Sequence, residues 1–135
     1  MFGRFVAALA LATMIAACLP GQMGIGLPHQ LTGETYPGDR HELSGLLEVA
    51  DNGCLNLALD DGTHFVIWPT GSSLDNLVRL PDGEVIAEGN LVVGTGAFTP
   101  TAPLVANRGY WANAIGYCSP NAAEVIVLDS ARSGP

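Results

Sequence analysis

The chain reads as all-β: a small barrel of five strands, with one disulfide, a signal segment before it and a flexible tether. Three observations point there. Runs with a strict two-residue apolar period are joined by Asn-Gly and Asp-Gly turn signals. Two further β-branched runs lie downstream, "EVIAEGNLVVG" and "EVIVLD". Beyond residue 18 the cysteines form an even pair, Cys54 and Cys118.

The N-terminus sets the compartment. Arg4 is followed from Phe5 to Ala17 by an uncharged run made almost wholly of Val, Ala, Leu, Met and Ile. A positive start and a short apolar stretch make an export signal. The run is shorter than the roughly 20 residues of a spanning helix. A core helix would carry a polar face at the helical period, and this run carries none. Residues 1–17 are therefore read as a signal peptide.

Ile15-Ala16-Ala17-Cys18 resembles the lipobox of bacterial lipoproteins: a branched apolar residue, two small residues and a cysteine. The resemblance implies cleavage before Cys18, diacylglycerol on its sulfur and acylation of its amino group. Several acyl chains hold a protein on a membrane where one chain binds only marginally. The competing reading is nearby cleavage that leaves Cys18 a free thiol. Leu19 stands where an Asp would favour inner-membrane retention, so the resemblance favours the outer membrane, facing the periplasm.

Three cysteines in an exported chain need an explanation. Lipidation of Cys18 leaves a pair for an oxidising compartment. A Cys54–Cys118 bond closes a loop of about 65 residues, worth about 3–4 kcal/mol by loop entropy. Zinc sites bring cysteines in close pairs, and these two are far apart with no nearby His. A redox pair would carry C-x-x-C, which is absent. No metal or cofactor is expected.

The five basic residues are all Arg, against thirteen acids. Removal of the signal takes Arg4 and no acid, so the net charge moves from −8 to −9. That surface repels nucleic acid and anionic headgroups. The lipid on Cys18 must then do the anchoring.

Residues 18–42 are rich in Gly, Pro and polar residues and read as the lipidated cysteine and its tether, although Met23, Ile25 and Leu27 alternate as a short edge strand would. The domain is placed at 43–130. "ELSGLLEVA" (42–50), "CLNLALD" (54–60) and "THFVIW" (63–68) form a three-strand meander across "DNG" and "DDG". Pro69 ends the third strand. In 69–83, Ser72 or Ser73 could cap a short helix carrying Leu74, Leu77 and Val78. Residues 84–94 read as the fourth strand, with Gly89 marking a bulge or bend. Thr95 to Ala122 reads as irregular, with a helical turn in its second part. "EVIVLD" (124–129) is the fifth strand, and 131–135 a disordered tail.

A meander, a connector, a fourth strand, a long loop and a last strand is the order of an OB-type barrel. An SH3-like barrel or a small β-sandwich has nearly the same strand count. "GCL", then "VIWP", then "EGNLVVGTG", then a late Cys is similar to a class of small exported bacterial lipoproteins. That resemblance implies an OB-like barrel and no established activity.

Gly94-Thr95-Gly96 lacks the following helix that a phosphate-cradling loop needs, so its glycines are expected at a sharp turn. His29, His41 and His64 show no zinc-protease spacing, and no G-x-S-x-G exists. Asp60 and Asp61 precede Gly62 in a turn and, as neighbours on a strand, would point to opposite faces. The aromatics Trp68, Phe98, Tyr110, Trp111 and Tyr117 could stack on a sugar or a peptide or fill the core of a small domain. The expectation is a non-catalytic, lipid-anchored envelope module that contacts an envelope protein or glycan through Trp68, Tyr110 and Trp111. The rival is an envelope enzyme or metal-handling protein using His64 with Asp60 or Glu88. The blander reading is a passive structural lipoprotein.

Overall fold

The meander forms where its turns place it. The computed structural model describes residues 27–106 and 109–135; the signal peptide, Cys18 and the first part of the tether lie outside them. Strand β1 (His41–Val49), β2 (Leu55–Leu59) and β3 (Gly62–Ile67) run antiparallel. At the first turn Gly53 alone takes positive φ, 86°. Asn52 keeps a negative φ and accepts the Cys54 N–H with its side-chain oxygen, at 3.1 Å, so the Asn-Gly turn closes as an Asx-type turn and not as the type I′ hairpin turn its two residues favour.

Connector 69–83 is not a helix. Ser73–Asp75 (β4) and Leu77–Arg79 (β5) pair about Asn76, whose φ is 58°. Leu74 and Val78 have helical spacing, but here they face each other across a hairpin. Residues 84–94 are not one strand either. Val85–Ile86 (β6) pairs with β5. A turn follows, in which Gly89 has φ 84° and the Asn90 side chain accepts the Ala87 N–H at 2.8 Å. Only then does β7 (Leu91–Pro100) begin.

Residues 95–122 are more regular than expected. β7 runs to Pro100, and helices α1 (Thr101–Ala106) and α2 (Tyr110–Cys118) follow. Gly94 and Gly96 lie in the strand rather than in a sharp turn, beside a bulge at Thr95/Gly96. A Cβ on Gly96 would sit 2.1 Å from the Val127 carbonyl oxygen, so the approach of the two backbones demands glycine. The last strand, β8 (Glu124–Ser133), extends past "EVIVLD" and pairs Ser133 with Val92. Gly134 N–H donates to the Leu91 carbonyl at 2.7 Å, so most of the expected disordered tail is part of the sheet.

The barrel closes in the order β1-β2-β3-β8-β7, with β3 and β8 parallel and every other pair antiparallel. This is the expected five-stranded OB-like barrel. Closure removes exposed edges from these strands. β1 pairs β7 through His41–Leu46 and β2 through Leu46–Val49. At the changeover Gly45 is required, because a Cβ there would lie 2.7 Å from Leu59 Cδ1 and 2.8 Å from the Ala58 oxygen.

Two cores result. Leu43, Leu47, Leu55, Leu57, Val66, Trp68, Val92, Ile126 and Leu128 form one cluster with Leu27 and, from the β4–β6 sheet and its turn, Val78, Leu80 and Ile86. On the outer face, Phe65, Ile67, Val125 and Val127 lie under Leu104, Trp111, Ala114, Ile115 and Tyr36. Both faces of β3 and β8 are therefore buried, which is why their sequences are near-continuous apolar runs.

Residues 27–42 are not the flexible tether expected of them. Leu27 and Tyr36 are buried, and His29 pairs with Trp68: Trp68 N–H donates to Pro28 and Gln30 N–H to Trp68, each at 2.8 Å. Residues 27–40 are a strap against the barrel, and 41–42 open β1.

Candidate functional site

The three aromatics expected to contact a ligand fall mostly inside. Trp68 is 0% exposed and belongs to the barrel cluster; its indole N–H has no partner among the described residues. Trp111 is 5% exposed. It packs edge-on against Tyr36, with centroids 6.0 Å apart. Its Nε1–H donates to Glu34 Oε2 at 3.1 Å. These two tryptophans hold the fold and present no stacking surface, which corrects the expectation for them. Tyr110 is half-buried and packs on Trp111 at 4.8 Å. Burial pushes its phenol above the ordinary 10.0.

Trp111 instead belongs to a strap lock that nothing in the sequence pattern marked. Tyr36 OH donates to the same Glu34 oxygen at 3.0 Å and accepts the Leu31 N–H at 3.1 Å. Burial is the largest influence on Tyr36, and its phenol is pushed above 10.0. Further along the strap, Arg40 binds Asp129 of β8 at 2.8 Å. Gln30 also donates to Asp129, at 2.8 Å. Partial burial works to raise the Asp129 pKa, but the Arg40 and Gln30 bonds outweigh it and hold the carboxyl below its ordinary value. A cleft of about 250 Å³ beside this pair is lined by Pro69, Leu80, Pro81, Asp82, Asp129 and Ser130. It is smaller than sites that enclose a drug-sized ligand, typically about 300–1,000 Å³.

His64 meets neither Asp60 nor Glu88. Its Nε2 lies 2.8 Å from Asp61 Oδ1, and Asp61 is two-thirds exposed in the β2–β3 turn. Phe98 lies edge-on to His64, with centroids 5.1 Å apart. Glu88 sits in the turn before β7, which is bonded to Leu47 of β1 through Gly89 and Asn90 and not to the β2–β3 hairpin. Among the described residues no three His, Cys, Asp or Glu side chains are grouped to hold a metal ion.

The cysteine pair forms as expected. Cys54 and Cys118 are bonded, with Cα atoms 5.6 Å apart. The bond ties the β1–β2 turn to the end of α2. Beside it, Tyr117 OH donates to the Asn52 carbonyl at 3.2 Å. Tyr117 is 52% exposed, an aromatic displayed on a covalently braced rim.

Among the described residues five large apolar side chains are exposed: Leu46 in β1, Leu77, Val85, Val105 and Tyr117. Because β2 and β3 are antiparallel, the end of β3 lies beside the start of β2. That end therefore carries the β1–β2 turn, the start of the strap and the β4–β6 sheet. Leu77, Val85 and Tyr117 are exposed there, whereas Val105 lies on α1, which follows the opposite end of β7. Comparison with protein-family models, curated proteins and solved structures finds no match.

Proposed function

We propose that the protein is a lipid-anchored lipoprotein of the bacterial cell envelope that acts as a non-catalytic binding module. The observation that carries this is the cysteine arithmetic. The Cys54–Cys118 bond accounts for two of three cysteines. The third, Cys18, stands at the end of an apolar export run in a lipobox-like context. Leu19 in place of Asp favours the outer membrane, facing the periplasm. The partner is an envelope protein or glycan rather than nucleic acid, because the mature chain carries net charge −9. Its contact surface is sought at the half-buried Tyr110, since Trp68 and Trp111 are enclosed. The pairing of His64 with an exposed turn carboxylate supports a binding role over catalysis.

Intact mass of the membrane-extracted protein tests the reading, with alkylation before and after reduction. Loss of residues 1–17, added diacylglycerol and acyl mass, and two thiols alkylated only after reduction are expected. An unlipidated chain with Cys18 free would overturn the anchoring.

A further inference from the structure

We propose that the barrel end bearing the start of the strap rests on a zwitterionic phospholipid surface, with Leu77 and Val85 as its contacts. The proposal depends on lipidation of Cys18. Only residues 19–26 separate Cys18 from Leu27, a reach of at most about 30 Å. Leu27 is not the end of a loose tether. It is 6% exposed and packed in the cluster that contains Val78, Leu80 and Ile86. Leu27 thus belongs to the core that the inner face of the β4–β6 sheet closes, and the next residues, Pro28 to Gln30, lie beside Trp68 at the end of β3.

Register then assigns the outer face. Val78 pairs with Ile86 on the inner side, so Arg79 and Val85, which also pair, point the other way. Leu77 shares that side and is 41% exposed; Val85 is 37% exposed. Two apolar side chains with an arginine between them face away from the core at the end nearest the anchor. Tyr117, joined to Asn52 at the same end, suits headgroup depth, where amphipathic rings settle. Asp75, Asp82 and the acidic chain as a whole oppose an anionic surface, which commits the site to zwitterionic lipid. Alone the contact is weak. A short anchor raises the local concentration of lipid to the millimolar range and keeps the contact occupied.

The test uses full-length lipidated protein in phosphatidylcholine vesicles that carry a quencher on the acyl chains. An environment-sensitive fluorophore is attached in turn to Leu77→Cys, Val85→Cys and Val105→Cys. Intact mass and far-UV circular dichroism are checked for each variant. Quenching several-fold stronger at 77 and 85 than at 105 is expected. Equal quenching at all three positions in lipidated protein would overturn this proposal alone. A mass without diacylglycerol would overturn the anchoring reading and this proposal with it. Shielding at 77 and 85 that grows with protein concentration in the absence of vesicles would assign the face to a second copy and reject the bilayer.

Discussion

Tyr36 separates a strap from a tether. If residues 27–40 were a loose linker, truncating Tyr36 would leave stability unchanged. Tyr36 is 3% exposed and sits in the outer core with Trp111 and Ile115. Tyr36→Ala removes the ring contacts, the acceptor for Leu31 N–H and the donor to Glu34. Large-to-small aromatic changes in cores cost about 3–5 kcal/mol. For an m-value of about 1.5 kcal/mol/M, a loss of about 3 kcal/mol lowers the urea midpoint by about 2 M. Tyr36→Phe keeps the ring and loses only the hydroxyl bonds, so about 1–2 kcal/mol is expected. The raised Tyr36 pKa adds a pH signature. Its stabilising contribution is complete below the unfolded value of about 10 and is lost as pH rises through the folded one. Wild type should therefore lose stability above pH ~10 more steeply than Tyr36→Phe. Urea titrations of detergent-solubilised full-length protein read both effects. A Tyr36→Ala midpoint within experimental error of wild type would refute the strap.

Gly96→Ala forces a Cβ against the Val127 carbonyl and should cost about 2–3 kcal/mol or more, whereas Gly116→Ala, inside α2 with open space around it, should stabilise by about 0.5–1 kcal/mol; thermal melts give the two signs. The depressed Asp129 pKa makes its contribution complete above the unfolded value of about 3.9 and lost as pH falls through the folded one. Arg40→Gln should flatten that acid limb by less than about 1 kcal/mol, since both partners are over a quarter exposed, and acid titrations of stability measure it. Replacing Cys54 and Cys118 together by Ser should lower stability by ~4 kcal/mol for the loop they close, read from urea curves against wild type under oxidising conditions.

The meander was legible because each of its strands carries its own period and each turn its own glycine. Leu55, Leu57 and Leu59 alternate, and Gly53 and Gly62 take the positive φ that their turns need. The connector was not legible, because Leu74 and Val78 satisfy two geometries. Spacing of four places them on one helix face or opposite each other in a tight hairpin, and the positive φ at Asn76 decides for the hairpin. The sequence alone ends strand β7 at Gly94, because Gly94 and Gly96 resemble a turn. Only the partner strand shows that they let two backbones approach. The strap was invisible for a different reason. Its hold comes from single residues, Leu27, Gln30, Tyr36 and Arg40, each meeting a partner far along the chain, and such contacts leave no local period. The same limit misled the reading of the site. Trp68 and Trp111 differ from exposed aromatics only by what folds over them.

What covers Trp111 also bears on how an anchored domain would be held. A chain fixed at Cys18 would transmit tension first to Leu27 and the His29–Trp68 pairing, and only then to β1. The strap is pinned at separated points: in the barrel core by Leu27, just past β3 by Trp68, on β8 by Asp129 and on α2 through Glu34 and Trp111. The Cys54–Cys118 bond then joins α2 back to the start of β2. A pull at a lipid on Cys18 would thereby be spread over the end of β3, β8, α2 and, through the disulfide, the start of β2, instead of falling on β1 alone. A domain this small, whose cores are each modest, gains from that arrangement because the strap completes the second of them. Leu27 and the outer core are thus held by one strap, and loss of the Tyr36 ring should lower the stability of the domain and, in the proposed lipidated protein, loosen its orientation on the membrane.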